Sequence, residues 1–144
     1  MTIDTTYQLL CSCKKGFGHW EGHASGRNMP RFFTAWAKTK HLNIATMPHE
    51  AKDIFDLAAK RDPYAREFLK ELHHINARAI SNVIVAYDPE LITIGGSVML
   101  QNGSILLAGI RKYIDQYLPV PEIRVTPLGE DVTLLGAAAA VFGQ

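Results

Sequence analysis

The chain has 144 residues, 47% of them hydrophobic and 20% charged, which is enough apolar side chain for one packed core and contains no low-complexity tract that would keep it unfolded. A formal net charge of +1, with Lys14-Lys15 the only dense basic pair outside the predicted helices, excludes nucleic acid as a partner of this chain. No signal-peptide pattern and no run of about 20 apolar residues is present, so a soluble, cytoplasmic protein without a membrane span is expected, and two cysteines one residue apart exclude a secreted disulfide scaffold.

In chain order, Thr2, Ile3, Thr5, Thr6, Tyr7 and Leu9 place β-branched and aromatic side chains in partial alternation, which predicts a strand over residues 2–10. Residues 11–26 follow with four glycines, two cysteines and two histidines but no sustained hydrophobic period. Loops of this length inside a domain are rarely idle, so the segment reads as a functional or metal-stapled loop. Helical spacing of aromatic and aliphatic residues predicts a helix over 27–40, and a second, short one follows Pro48 through Ala59.

Asp62-Pro63 supplies an N-cap and a first-turn proline, and Ala65, Phe68, Leu69, Leu72, Ile75, Ala79, Ile80 and Val83 then recur at three- and four-residue steps until Asp88-Pro89 stops the helix. Leu91-Ile92-Thr93-Ile94 reads as a short buried strand broken by Gly95-Gly96. A helix over 104–118 with its stripe at Leu106, Ile110, Tyr113, Ile114 and Tyr117 comes next, then a strand over 122–126 and an apolar helix over 131–142. Strands alternating with helices predict an α/β domain whose sheet is covered by helices, with no internal linker or repeat.

The stretches CSCKKGFGHWE (11–21), LITIGGSVM (91–99) and LLGAAAAVFG (134–143) resemble the ROK (repressor/kinase) family of sugar kinases and repressors over nearly the whole chain. The family's second half carries a glycine-histidine pair, then a cysteine-x-cysteine-glycine-x-x-glycine-cysteine-x-glutamate loop and a downstream serine-glycine. Cys11, Cys13, Glu21, Ser25 and Gly26 fall in matching places. His19 stands where the third family cysteine would, and the stretch between Cys13 and Gly18 is one residue longer. The glycine-histidine pair would precede Met1.

What the resemblance implies is the C-terminal domain, residues 1–144, of an actin-like (ribonuclease H-like) hexose kinase that uses ATP and Mg2+. No DxGxT-like phosphate loop occurs in the sequence, so the chain alone is expected to be inactive. The rival reading is the ligand-binding and dimerisation domain of a sugar-responsive repressor; a third is a free-standing zinc-stapled dimerisation module.

Thiolates and a neutral imidazole are ligands zinc favours, which makes Cys11, Cys13 and His19 the candidate metal set, with His23 as a substitute fourth ligand and a surface loop with incidental thiols as the alternative. Glu21 is the candidate sugar-binding residue, since a carboxylate accepts from adjacent hydroxyls. Gly95 and Gly96, between a strand and a helix, are candidates for close approach of a nucleotide, or simply a tight turn. Gly136 with Ala137–Ala140 predicts tight helix packing, and His73 and His74, unable to face one ion as neighbours, are read as solvated. Trp20, Phe32, Phe33 and Trp36 are assigned to the core rather than to a stacking platform. The apolar stripes of helices 62–87 and 104–118 predict a homodimer.

Overall fold

The computed structural model describes residues 1–143. In chain order the elements are α1 (Glu21–Ala24), α2 (Met29–Thr39), α3 (Ala51–Ala59), α4 (Pro63–Tyr87), β1 (Leu91–Ile94), α5 (Ser97–Tyr113), β2 (Glu122–Val125), a 3-10 turn (Gly129–Asp131) and α6 (Val132–Phe142).

Helix α4 is the axis of the molecule. It starts where Asp62 accepts a hydrogen bond from the Ala65 N–H at 2.8 Å and ends where Asp88 adopts a left-handed conformation ahead of Pro89. Its buried stripe meets α3 on one side and α5 on the other, and Phe68 seats among Phe32, Phe33 and Trp36 of α2, with ring centroids 4.9, 4.9 and 5.6 Å away. Phe32, Phe33 and Trp36 are essentially inaccessible to water, as the sequence predicts, and so is Phe68, whereas Trp20, expected in the same core, is only partly buried. Helix α3 begins at Ala51, three residues past Pro48, because Asp53 accepts from the backbone N–H groups of His49 and Glu50, both at 2.9 Å, and closes a capping box with Glu50.

Strands β1 and β2 pair in parallel, Leu91 opposite Glu122 and Ile94 opposite Val125, joined through α5. Gly103 lets α5 lie directly on the sheet, since a Cβ there would meet Val125 at 2.6 Å. That side is buried through Ile123. The opposite face is open: Leu91 is 41% exposed, so β1 is half-covered rather than the buried strand its composition suggests. Apolar runs of four residues do not reveal whether both faces of a sheet find partners.

Three further expectations are corrected. Residues 2–10 form no regular strand: only the isolated bridges Thr2 to His19 and Leu10 to Phe17 remain. Asp4 bends this segment by accepting from the N–H groups of Thr6 and Tyr7 at 3.0 and 3.2 Å, and Gln8 takes a left-handed φ of 51°. Helix α5 runs from Ser97, kinks at Asn102 and stops at Tyr113 instead of spanning 104–118. Ile114 turns extended while the Asp115 N–H donates to Ser81 Oγ at 2.9 Å, which leaves Tyr117 outside the helix and 78% exposed. Finally, α6 forms as predicted but buries none of its residues. Leu134 is 70% and Phe142 84% exposed, and nothing lies within 4 Å of the place a Cβ would take at Gly136, so among the described residues its alanine run finds no packing partner. Among the described residues no helix is long and apolar enough to cross a membrane.

Candidate functional site

The N-terminal loop brings three predicted ligands together through its backbone. Ile3 N–H donates to the Gly18 carbonyl (2.8 Å), Gly18 N–H to Leu9 (2.9 Å) and Cys11 N–H to Gly16 (3.0 Å), folding 1–20 back on itself. Gly18 has φ +70° and a Cβ there would collide with the Asp4 carbonyl, so this turn requires glycine. The result is that the ligand atoms of Cys11, Cys13 and His19 all lie within 4.8 Å of one another, with Cys13 Sγ 3.5 Å from His19 Nδ1. Zinc bonds of about 2.1–2.3 Å at tetrahedral angles separate ligand atoms by roughly 3.5–3.8 Å, so the set fits such an ion with modest tightening and leaves a fourth position to another donor.

The two thiols are not equivalent. Backbone N–H from Cys13 pulls the Cys11 thiol down, but burial and the neighbouring Glu21 and Cys13 outweigh it and hold its pKa above the usual thiol value. Backbone N–H from Lys15, with help from the Cys11 side chain, holds Cys13 below it. His23 is not a ligand. It is fully buried, with Nδ1 2.9 Å from the His19 carbonyl and Nε2 3.3 Å from Asp4, committed to the core beneath the loop.

Glu21 opens the single turn α1 rather than lying in irregular loop, and Cys11 Sγ donates to its carboxylate at 3.2 Å. It lines a cavity of about 460 Å³, and the same cavity is lined by Trp20, Asn76, Gly95, Gly96 and Ser97. The sequence candidates for two different ligands therefore share one cleft. Gly96 has φ +95°, a conformation side-chain-bearing residues rarely adopt, with open space where a Cβ would be. Gly95 packs closer, its absent Cβ falling 3.2 Å from Thr126 and Val132. Together they bring bare backbone to the cavity edge at the start of α5.

Two lining residues were not read as part of a site, Trp20 because it was assigned to the core and Asn76 because it was not singled out. Trp20 donates from Nε1 to Asn76 Oδ1 at 2.8 Å, which ties the loop to α4 and sets one wall. Asn76 is a buried amide inside the stripe Leu72, Ile75, Ala79, and that polar break in an apolar face was the signal available. His73 is a correction: it is half-buried with Nε2 unpartnered and lies against α5, where a Cβ at Gly109 would strike its ring. Burial holds its pKa below the usual histidine value, with His74 and Lys112 adding to the effect. His74 stays exposed but stacks on Tyr113, centroids 3.8 Å apart.

The ROK family model matches residues 1–143. A glucokinase of Pyrobaculum calidifontis is 36% identical over 142 residues, covering 97% of this chain and 45% of its own length. A ROK family glucokinase from Streptomyces griseus, solved in complex with glucose and AMPPNP, superposes with a TM-score of 0.72 at 25% identity over 97% of this chain and 49% of that one. A ROK family transcriptional regulator homologous to the E. coli MLC protein gives 0.64 at 30% identity, over 87% and 33%. The chain thus spans less than half the length of these relatives. Its fold is the mixed α/β architecture of the actin-like sugar kinases, and the chain belongs to the ROK family.

Proposed function

We propose that residues 1–144 are the C-terminal domain of an ATP-dependent hexose kinase, contributing one wall of the sugar site and part of the nucleotide site. The observation that carries this reading is the single cavity lined by both Glu21 and Gly95-Gly96. Glu21 accepts hydrogen bonds from neighbouring sugar hydroxyls, orienting the ring. The indole of Trp20 supplies an apolar wall, and Gly95, Gly96 and the start of α5 receive the nucleotide. In the complete enzyme ATP supplies the phosphoryl group and Mg2+ neutralises its charge. Cys11, Cys13 and His19 hold a structural zinc that stiffens the loop leading into Glu21. Phosphoryl transfer depends on positioning and charge stabilisation, and the sequence holds no DxGxT-like phosphate loop, so the chain alone transfers phosphate at a negligible rate. A cytoplasmic location is part of the same proposal.

The test is glucose binding by the purified chain, followed through Trp20 fluorescence with and without AMPPNP. Saturable binding, weakened at least about tenfold in Glu21→Gln and on zinc chelation, is the expected result. Equal binding by wild type and Glu21→Gln removes the role given to Glu21.

A two-fold homodimer is part of the same proposal, on altered grounds. The stripe of α4 is covered by α2, α3 and α5, and the exposed apolar surface that remains for a second copy includes Val85, Tyr87, Ile105 and α6. Light scattering should return about twice the 16.0 kDa chain mass, and a monomer mass ends the idea. The second reading, a repressor's ligand domain, is favoured by the similarity to the transcriptional regulator. Gene sequence adjoining residue 1 separates them: a helix-turn-helix segment supports the repressor, an acidic phosphate loop the kinase.

A further inference from the structure

A second cavity lies against the metal loop itself. It measures about 500 Å³ and is walled by Leu10, the proposed metal ligand Cys11, Ser12 and Lys14 of the loop and by Arg27, Asn28 and Arg31 at the beginning of α2. None of the residues proposed for sugar or nucleotide lines it. Among the described residues Lys14, Arg27 and Arg31 form no ion pair and no carboxylate lines the cavity, the nearest acid noted being Glu21 behind Cys11, whose Sγ lies 3.2 Å from its carboxylate. Like charges gathered without a counter-charge repel one another, and that repulsion is relieved by an anion.

The two walls are fixed relative to each other by one buried side chain. Asn28, 2% exposed, has Nδ2 at 2.8 Å from Ser12 Oγ, 2.9 Å from Ser25 Oγ and 3.2 Å from the Glu21 carbonyl, its two N–H groups shared among the three acceptors, while its Oδ1 accepts from Arg31 Nη1 at 3.4 Å. Arg31 is thereby held through one nitrogen and keeps its remaining donors for a ligand. Lys14 sits in a left-handed conformation, φ +59°, in a turn closed by its N–H on the Cys11 carbonyl at 2.9 Å. Non-glycine residues adopt such backbone at a cost.

We infer that this cavity binds the phosphate group of a small phosphate monoester, at a site separate from the sugar and nucleotide cleft. Guanidinium groups pair with phosphate oxygens through two parallel hydrogen bonds, and an ammonium adds a third cationic donor. The volume falls within the range of small-molecule sites and exceeds what a bare phosphate fills, and Leu10 offers apolar surface to the organic part of the ester. The inference does not depend on the kinase reading.

The experiment is a titration of the whole 15N-labelled chain with glycerol 3-phosphate at constant ionic strength, with glycerol as the neutral control. Saturable amide shifts confined to residues 10–14 and 27–31, with a Kd on the order of 1 mM, are expected from the phosphate ester and none from glycerol. Arg27→Gln, at an exposed side chain with no hydrogen-bond partner among the described residues, should weaken binding about tenfold without changing the fold, and Arg27→Lys should recover part of it. Shifts that grow linearly without saturating, equal binding by Arg27→Gln, or shifts centred on residues 95–97 would each overturn the assignment, the last by showing that the phosphate prefers the main cleft.

Discussion

Helices α4 and α6 are both unmistakable in the sequence, yet they end in opposite situations. α4 mixes apolar and charged residues and buries eleven of its side chains, while α6, almost wholly apolar, buries none. Hydrophobicity measures how much a helix gains from being covered, and the gain is realised only where another element offers a complementary surface. For α4 that surface is supplied by α2, α3 and α5 within the same chain. α6 meets little beyond the 3-10 turn before it. The apolar content of α6 is therefore a demand placed on something outside these residues, whereas that of α4 has already been converted into stability.

The sharpest test of this contrast is a pair of truncations. Phe68→Ala empties a site surrounded by three aromatic rings and should cost about 3–5 kcal/mol of unfolding free energy, whereas Phe142→Ala should change it by less than about 0.5 kcal/mol. Urea unfolding of both variants measures the difference, and comparable losses would mean that α6 is covered within the single chain. A smaller effect comes from the cap of α4: Asp62→Ala removes the acceptor for the Ala65 N–H and should destabilise by about 1 kcal/mol, read from the shift in urea midpoint at unchanged slope.

The smallest effect lies where α4 meets α5. His73 titrates below its unfolded value, so the unfolded chain takes up a proton first as the pH falls. Its contribution is complete above the unfolded pKa of about 6.5 and shrinks as acid is added below that point. Thermal unfolding at about pH 7.5 and about pH 5.5 should show a smaller acid-induced drop in Tm for His73→Phe than for wild type. Identical drops would mean that the α4–α5 contact does not carry this proton linkage.

Legibility in the sequence followed the range of the interactions involved. Asp62, Pro63 and Asp88 set the ends of α4 through contacts within a few residues, so both ends could be read directly. Residues 2–10 could not, because alternation suggested a ladder whereas a carboxylate at Asp4, bonding two nearby N–H groups, bent the chain instead. For the site, Cys11, Cys13 and His19 were visible by chemistry and spacing, and the loop does gather them. Trp20 and Asn76, 56 positions apart, were not visible as a pair, since only their hydrogen bond makes them one wall.

By itself the sequence determined the family, the existence of the longer helices and both ends of α4, and the residue types able to hold a metal, a hydroxyl or a phosphate. Those properties depend on side-chain chemistry and on neighbours three or four positions away. The tertiary structure alone decided that Glu21 and Gly95-Gly96 share a cavity, that His23 belongs to the core rather than to the metal set, and that Lys14 meets Arg27 and Arg31. It also decided that α6 stands uncovered. Each of these depends on which distant surfaces the packed chain brings together, a matter of shape and burial that no local pattern encodes.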